Sequence, residues 1–146
     1  RLKRGELRAA VLSATYRLAP GDPAALRNRV AEIQRTRRST QPSGYSVGSV
    51  FANPPGDAAG RLVDAAGLKG CRIGDAEIST LHGNFILNRD KASASDVLAL
   101  INHVQRSIWD LTGVWLTPEV QLLGRWEVQA LAELRAPAGT AAEMQS

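Results

Sequence analysis

The sequence predicts an α+β domain, a small, mostly antiparallel sheet with helices packed on one side. Three observations predict it. Residues 68–73, 76–80 and 84–87 are short segments rich in Ile, Leu and Phe, separated by Gly74-Asp75 and by His82-Gly83; this is the spacing of strands and turns. Val97, Leu100, Ile101, Val104, Ile108 and Leu111 recur at helical spacing, the clearest amphipathic helix in the chain. The 146 residues, 44% hydrophobic and 22% charged, suffice for one domain with a real core.

The elements follow in chain order. Residues 7–18 alternate, with Ala10, Leu12, Ala14, Tyr16 and Leu18 on one face, and predict a strand. Pro20-Gly21-Asp22-Pro23 is a loop that ends in a helix start, with Asp22 as N-cap and Pro23 at the first helical position. Leu26, Val30 and Ile33 carry that helix to about Arg38. Arg35, Arg37 and Arg38 suit its C-terminal dipole. Residues 39–45 are a polar linker broken by Pro42 and Gly44.

Residues 46–53 are the most informative stretch. Read as a strand ending at the rigid Pro54-Pro55-Gly56 turn, they put Val47, Ser49, Phe51 and Asn53 on one face. A hydroxyl and a carboxamide then stand beside an aromatic ring, where a core strand would carry apolar side chains. Asp57 is expected to cap a short second helix, with Leu62, Val63 and Ala66 inward and Gly67 as its stop. Ser93 and Asp96 have the spacing of a capping box for the amphipathic helix, which stops at Gly113. Residues 114–123 read as a strand with Leu116, Val120 and Leu122 on one face and Trp115, Glu119 and Leu123 on the other. From Ala136 the tail of Ala, Pro, Gly and Thr is expected to fray. No internal repeat is present.

Composition excludes several classes. No apolar run approaches the roughly 20 residues of a membrane span, and no signal-peptide pattern is present. The single Cys71 cannot form an intrachain disulfide and fits a reducing, cytoplasmic setting. One Cys and two separated His residues have no metal-ligand spacing, so no metal is expected. No Walker loop and no GxGxxG after a strand occur. The basic residues are mostly Arg, with only Lys3, Lys69 and Lys91 as Lys. Arg suits bidentate recognition of phosphate and carboxylate, but the bias equally fits a GC-rich genome. A net charge of +4 is too small to argue for nucleic acid. The chain begins with Arg and opens directly into a strand pattern, which reads as a piece of a longer protein.

Taken one by one, the polar residues have structural roles. Ser49 and Asn53 beside a Pro-Pro-Gly turn would hydrogen-bond the backbone. Glu119 would be a solvated carboxylate, His82 a turn residue and His103 an exposed one. Four blocks together, GSVFANP, AGLKGCRIG, ISTLHGNFILN and LTPEV, change this reading. In that order and spacing the chain resembles the UDP-N-acetylenolpyruvoylglucosamine reductase family, the flavoenzymes (UDP-N-acetylmuramate dehydrogenases) of bacterial cell-wall synthesis. The resemblance runs from about Arg1 to Gly124. The close succession of GSVFANP and AGRLVDAAGLKG resembles the shorter class of the family, which lacks a long insertion there.

The resemblance implies roles for named residues. Ser49 matches the serine that protonates the substrate, and Glu119 the catalytic glutamate. Asn53 matches a polar residue of the same pocket, and His82 falls where the family places a polar side chain near substrate. Arg37 or Arg38 falls near a basic residue that contacts substrate phosphate or carboxylate; both stay open. Gln121 stands where some relatives carry Arg, and Asp75 replaces a Gly of the IGGA turn. The implied reaction uses FAD reduced by NADPH to reduce the enolpyruvyl group of UDP-N-acetylglucosamine enolpyruvate, a step tied to peptidoglycan synthesis, cell shape and cell division. The glycine-rich loop that holds the FAD pyrophosphate in the family has no counterpart here.

The implied domains are 1–38, the last strand and helix of the FAD-binding domain; 39–126, the C-terminal substrate-binding domain; and 127–146, an extension. The expected partners are the substrate and the chain's own N-terminal FAD domain, with no nucleic acid and no membrane. The expected species is a cytoplasmic monomer, inactive as this fragment alone. The rival reading is a basic, non-catalytic α+β module that binds nucleic acid or an acidic partner. A third is an inactive remnant that keeps only the fold.

Overall fold

The computed structural model describes residues 10–126 and residue 134. They fall into two compact units that divide after Gln34.

In the first unit, residues 10–22 have no regular secondary structure. The strand expected over 7–18 is therefore corrected for residues 10–18; residues 7–9 lie outside the described residues. An alternating segment becomes a strand only where a neighbour takes its N–H and C=O groups. The described ladders involve other segments only. Val11, Leu12, Tyr16 and Leu18 are all exposed. Helix α1 (Pro23–Thr40) starts as the sequence predicts. The Asp22 carboxylate accepts from the N–H groups of Ala24 and Ala25 at 3.1 and 3.0 Å, which satisfies two otherwise orphaned donors. No residue of α1 is buried.

The second unit holds the sheet. Strands β1 (Ser46–Ser49), β2 (Arg72–Ile73), β3 (Ala76–Ile78) and β4 (Phe85–Asn88) pair antiparallel in the order β1-β4-β3-β2. Strand β2 is shorter than the expected 68–73. Residues 68–71 turn instead, with the Cys71 N–H on the Leu68 carbonyl at 3.1 Å. Helix α3 (Ala94–Thr112) packs on β2 and β3, and α2 (Ala59–Ala65) packs against α3. The α+β class and the antiparallel sheet are those the sequence predicts.

Helix α3 obeys its local signals. The Ser93 side chain accepts from the Asp96 N–H, Asp96 accepts from the Ser93 N–H, and Gly113 ends the helix at φ 68°. Its stripe buries Leu100, Ile101, Val104 and Ile108, each at 1% exposure or less. Leu111 is a correction: it is exposed, because burial along the helix ends at Ile108. Gln105 is fully buried for a polar reason. Its Nε2 donates to the Leu116 carbonyl at 2.9 Å and ties the segment after α3 to the helix.

Two more expectations are corrected. Residues 114–123 form no strand; one isolated bridge joins Pro118 to Phe51. Proline has no N–H to extend a ladder, and the Leu116 carbonyl already serves Gln105. Helix α2 is not capped by Asp57. Its N-cap position is Ala58, and the Ala59 N–H is taken by the Asn53 side chain at 3.0 Å. The Asp57 carboxylate instead accepts from the Ala58 N–H and pairs with Arg61. On β3, the largely buried Glu77 is bound by Arg89 and approached by Arg72 at 3.8 Å. The Arg89 hydrogen bond holds its carboxyl below the ordinary range.

Candidate active site

The site begins with a fault in β1. Ser46 pairs with Leu87 and Ser49 with Phe85, so three steps on β1 match two on β4. The extra residue is a β-bulge, and Gly48 within it has φ 77°, a left-handed value that glycine adopts without steric cost. The bulge breaks the predicted alternation. Val50 and Phe51, neighbours in sequence, are both buried at 1% and 2% exposure, while Val47 is exposed. Val47, Ser49, Phe51 and Asn53 therefore do not share one face. Ser49 is instead exposed and lines a cleft of about 540 Å³.

Asn53 and His82 line the same cleft. Asn53 reaches it from the loop before α2, where its Oδ1 holds the Ala59 N–H. His82 is held by three contacts. Its Nδ1 accepts from the Asn84 N–H at 3.1 Å, so in this arrangement the ring proton sits on Nε2. Its ring stands edge-on to Phe85, centroids 5.0 Å apart. Gly60 of α2 lies against it, and a Cβ there would come within 2.9 Å of the His82 ring. Gly83 completes the approach, since a Cβ on it would meet the Gly60 carbonyl at 2.7 Å. The His82-Gly83 loop and the first turn of α2 fit together because both contact positions are glycine.

Three further cleft residues were not singled out by the sequence. Arg61 and Lys69 line it, each next to a carboxylate: Arg61 on Asp57, and Lys69 on Asp64 at 2.6 Å. The Arg61 hydrogen bond pulls the Asp57 carboxyl down to about 2. The third is Asn84, 4% exposed. Its Oδ1 accepts from the Phe51 N–H at 2.8 Å. Its Nδ2 donates to the Phe51 carbonyl at 2.8 Å and to Ser49 Oγ at 3.1 Å. The available signal was a lone amide heading the apolar run Phe85-Ile86-Leu87; a polar residue there needs buried partners.

The other candidates lie outside the residues that line the cleft. Glu119 is partly buried, and its N–H donates to the Val50 carbonyl at 2.7 Å, while the Ala52 N–H takes the Thr117 carbonyl at 2.9 Å. This pairing holds the Glu119 backbone beside the residue that follows Ser49. Arg37 and Arg38 are exposed in the last turn of α1. The Arg37 guanidinium reaches Gln41 Oε1 at 3.3 Å, and Gln41 does line the cleft. Among the described residues, no group of three or more His, Cys, Asp or Glu side chains stands together as a metal site. No helix among them is long and apolar enough to cross a membrane.

Comparison with known proteins identifies the family. The sequence model of the UDP-N-acetylenolpyruvoylglucosamine reductase C-terminal domain matches residues 40–123. The UDP-N-acetylenolpyruvoylglucosamine reductase of Chloroflexus aurantiacus is 54% identical over 113 residues, which cover 77% of this chain and 38% of the relative. That of Rubrobacter xylanophilus is 46% identical over 114 residues, 78% of this chain and 38% of the relative. The crystal structure of the Thermus caldophilus enzyme superposes with a TM-score of 0.58 at 46% identity, covering 67% of this chain and 34% of that one. The chain thus spans little more than a third of the curated relatives' length. With a family match over more than half of its residues, the chain belongs to the UDP-N-acetylenolpyruvoylglucosamine reductase C-terminal domain family.

Proposed function

We propose that this chain is the substrate-side, C-terminal part of an FAD- and NADPH-dependent reductase. The reaction converts UDP-N-acetylglucosamine enolpyruvate to UDP-N-acetylmuramate, in the cytoplasm, for peptidoglycan synthesis. The observation that carries the reading is that Ser49, Asn53 and His82, from three separate loops and strand ends, line one polar cleft in a chain of this family.

The described residues do not fit the FAD pyrophosphate. No glycine-rich phosphate cradle precedes a helix. Asp22, Asn53 and Ser93 each already take N–H groups at the starts of α1, α2 and α3, which leaves fewer of them for a pyrophosphate. In this reading the flavin sits on another domain of the same protein and supplies the hydride when bound. Residues 1–38 belong to that domain, 39–126 bind substrate, and 127–146 are an extension. Leu26, Val30 and Ile33, exposed on α1, are the face that meets the flavin domain. The assembly acts as a monomer.

This chain's contribution is to orient substrate and to hold a proton. Arg61 and Lys69 suit a diphosphate, whose charge can displace their carboxylate partners. The His82 Nε2–H and Asn53 carboxamide suit the neutral oxygen atoms of the sugar. Ser49 gives its hydroxyl proton to C2 of the enolpyruvyl group; a serine is a weak acid, but a carbanion-like centre is basic enough to take its proton. Negative charge that builds on the substrate carboxylate side needs a donor already in place, and a Glu119 carboxyl that carries its proton fills that role by donating a hydrogen bond.

In the full-length reductase, Ser49→Ala should leave flavin reduction by NADPH intact and slow the enolpyruvyl half-reaction by on the order of 10²–10⁴-fold. Stopped-flow measurement of the two half-reactions reads this directly. Equal slowing of both, or of neither, would reject Ser49 as the donor. Glu119→Gln should lower kcat and kcat/KM together; wild-type turnover would remove Glu119 from the site.

A further inference from the structure

We infer that Asn84 is a positioning residue that holds the Ser49 hydroxyl as an acceptor, so that its hydrogen is aimed away from the protein and into the cleft. The inference rests on the assignment of Ser49 as the proton donor. Asn84 lies 35 residues from Ser49 in sequence and is nearly fully buried.

The orientation of its carboxamide follows from chemistry. The two ends of an amide are ordinarily told apart only by their partners. Here the Phe51 N–H, 2.8 Å from one end, can only donate, so that end is Oδ1. The other end is then the NH₂ group, and its two hydrogens go to the Phe51 carbonyl and Ser49 Oγ. A hydroxyl that accepts from an N–H has its own hydrogen free for another acceptor. The same N–H also faces the charge left on Oγ as the proton departs, which is a transition-state interaction. The Asn84 backbone reinforces the arrangement. Its carbonyl accepts from the Val50 N–H at 3.0 Å, and its N–H holds His82 Nδ1. One buried residue therefore orients two side chains of the cleft.

Asn84→Asp keeps shape and the acceptor for the Phe51 N–H, but replaces by an oxygen the NH₂ that serves both the Phe51 carbonyl and Ser49 Oγ. Ser49 must then turn its hydrogen toward residue 84 and away from the cleft. In the full-length reductase this change should slow the enolpyruvyl half-reaction by about 10²-fold, the cost of misplacing a reacting group, with flavin reduction by NADPH unaltered. Added to Ser49→Ala, it should slow that step by no more than about twofold, within the usual error of additivity. A full 10²-fold loss in both backgrounds, or wild-type rates for Asn84→Asp, would overturn the inference. If Ser49→Ala itself leaves the step unchanged, the proposed function fails instead.

Should Asn84→Asp not fold, the Ser49→Ala protein with ¹⁵N-labelled Asn decides the matter. One of the two Asn84 carboxamide protons should shift upfield and exchange faster with solvent, while its partner on the Phe51 carbonyl stays protected. Unchanged carboxamide signals would show that no bond to Ser49 exists.

Discussion

Helices α1 and α3 are of nearly equal length, 18 and 19 residues, and both begin at a capped N-terminus, yet α3 buries seven residues and α1 none. Both carry apolar residues at helical spacing. On α1, Leu26, Val30 and Ile33 are 56%, 53% and 46% exposed. On α3 the matching stripe is closed against β2, β3 and α2. A cap and a stripe are enough to make a helix, but only a partner surface turns the stripe into a core.

The comparison can be broken at several points. Ile101→Ala removes a fully buried side chain from α3 and should cost about 2–5 kcal/mol, read from the denaturant midpoint of the 146-residue chain. The two caps should then behave differently. Ser93→Ala removes half of a capping box on a helix that carries the core and should cost about 1 kcal/mol. Asp22→Ala does the same chemistry on α1 and should change unfolding of the second unit by less than about 0.5 kcal/mol. Equal effects would show that α1 shares in the core after all.

The sheet offers a test with a pH signature. Glu77 has a folded-state value held below its ordinary 4.5, first by the Arg89 hydrogen bond. A carboxylate depressed in this way contributes stability that is fully present above the ordinary value and is lost as pH falls through the folded one. Glu77→Gln should therefore destabilise by about 1 kcal/mol at neutral pH, and the gap from wild type should shrink below pH 4.5. A gap that stays constant through acid would mean that the carboxylate's charge contributes nothing.

The smallest expected effect sharpens the comparison most. Ile33→Ala on α1 should change the stability of the 146-residue chain by less than about 0.5 kcal/mol. In the full-length reductase the same substitution should cost about 1.5–3 kcal/mol, the worth of one buried aliphatic side chain. Thermal or denaturant unfolding of both forms checks this. An equal, small effect in both would reject the proposed docking of α1.

Much of the fold was legible in local chemistry. Asp22 and Pro23 marked the start of α1, and Ser93, Asp96 and Gly113 marked both ends of α3, because caps act within one turn of chain. The hairpin of β2 and β3 followed from Gly74-Asp75, and the strand lengths erred by only a few residues at their ends. Residues 10–18 failed because alternation alone does not supply a ladder partner. The strand over 114–123 failed for a different reason, since Pro118 and the Gln105 bond to Leu116 take away the groups a ladder needs.

The sequence by itself determined the fold class, the helix boundaries of α1 and α3 and the family, and it singled out Ser49, Asn53 and His82. Tertiary structure decided which way those side chains point. One extra residue at Gly48 re-aims Ser49, and no alternation rule contains it, since a bulge is a mismatch between two strands. The Asn84 side chain serves partners 33 and 35 residues away, and the bridge at Pro118 brings Glu119 beside Val50 from the far end of α3. Local signals act over three or four residues and can be read along the chain. Register and buried polar pairing are settled only when distant segments meet, because an unpaired amide or hydroxyl in a core costs too much to be left without the partner that the fold supplies.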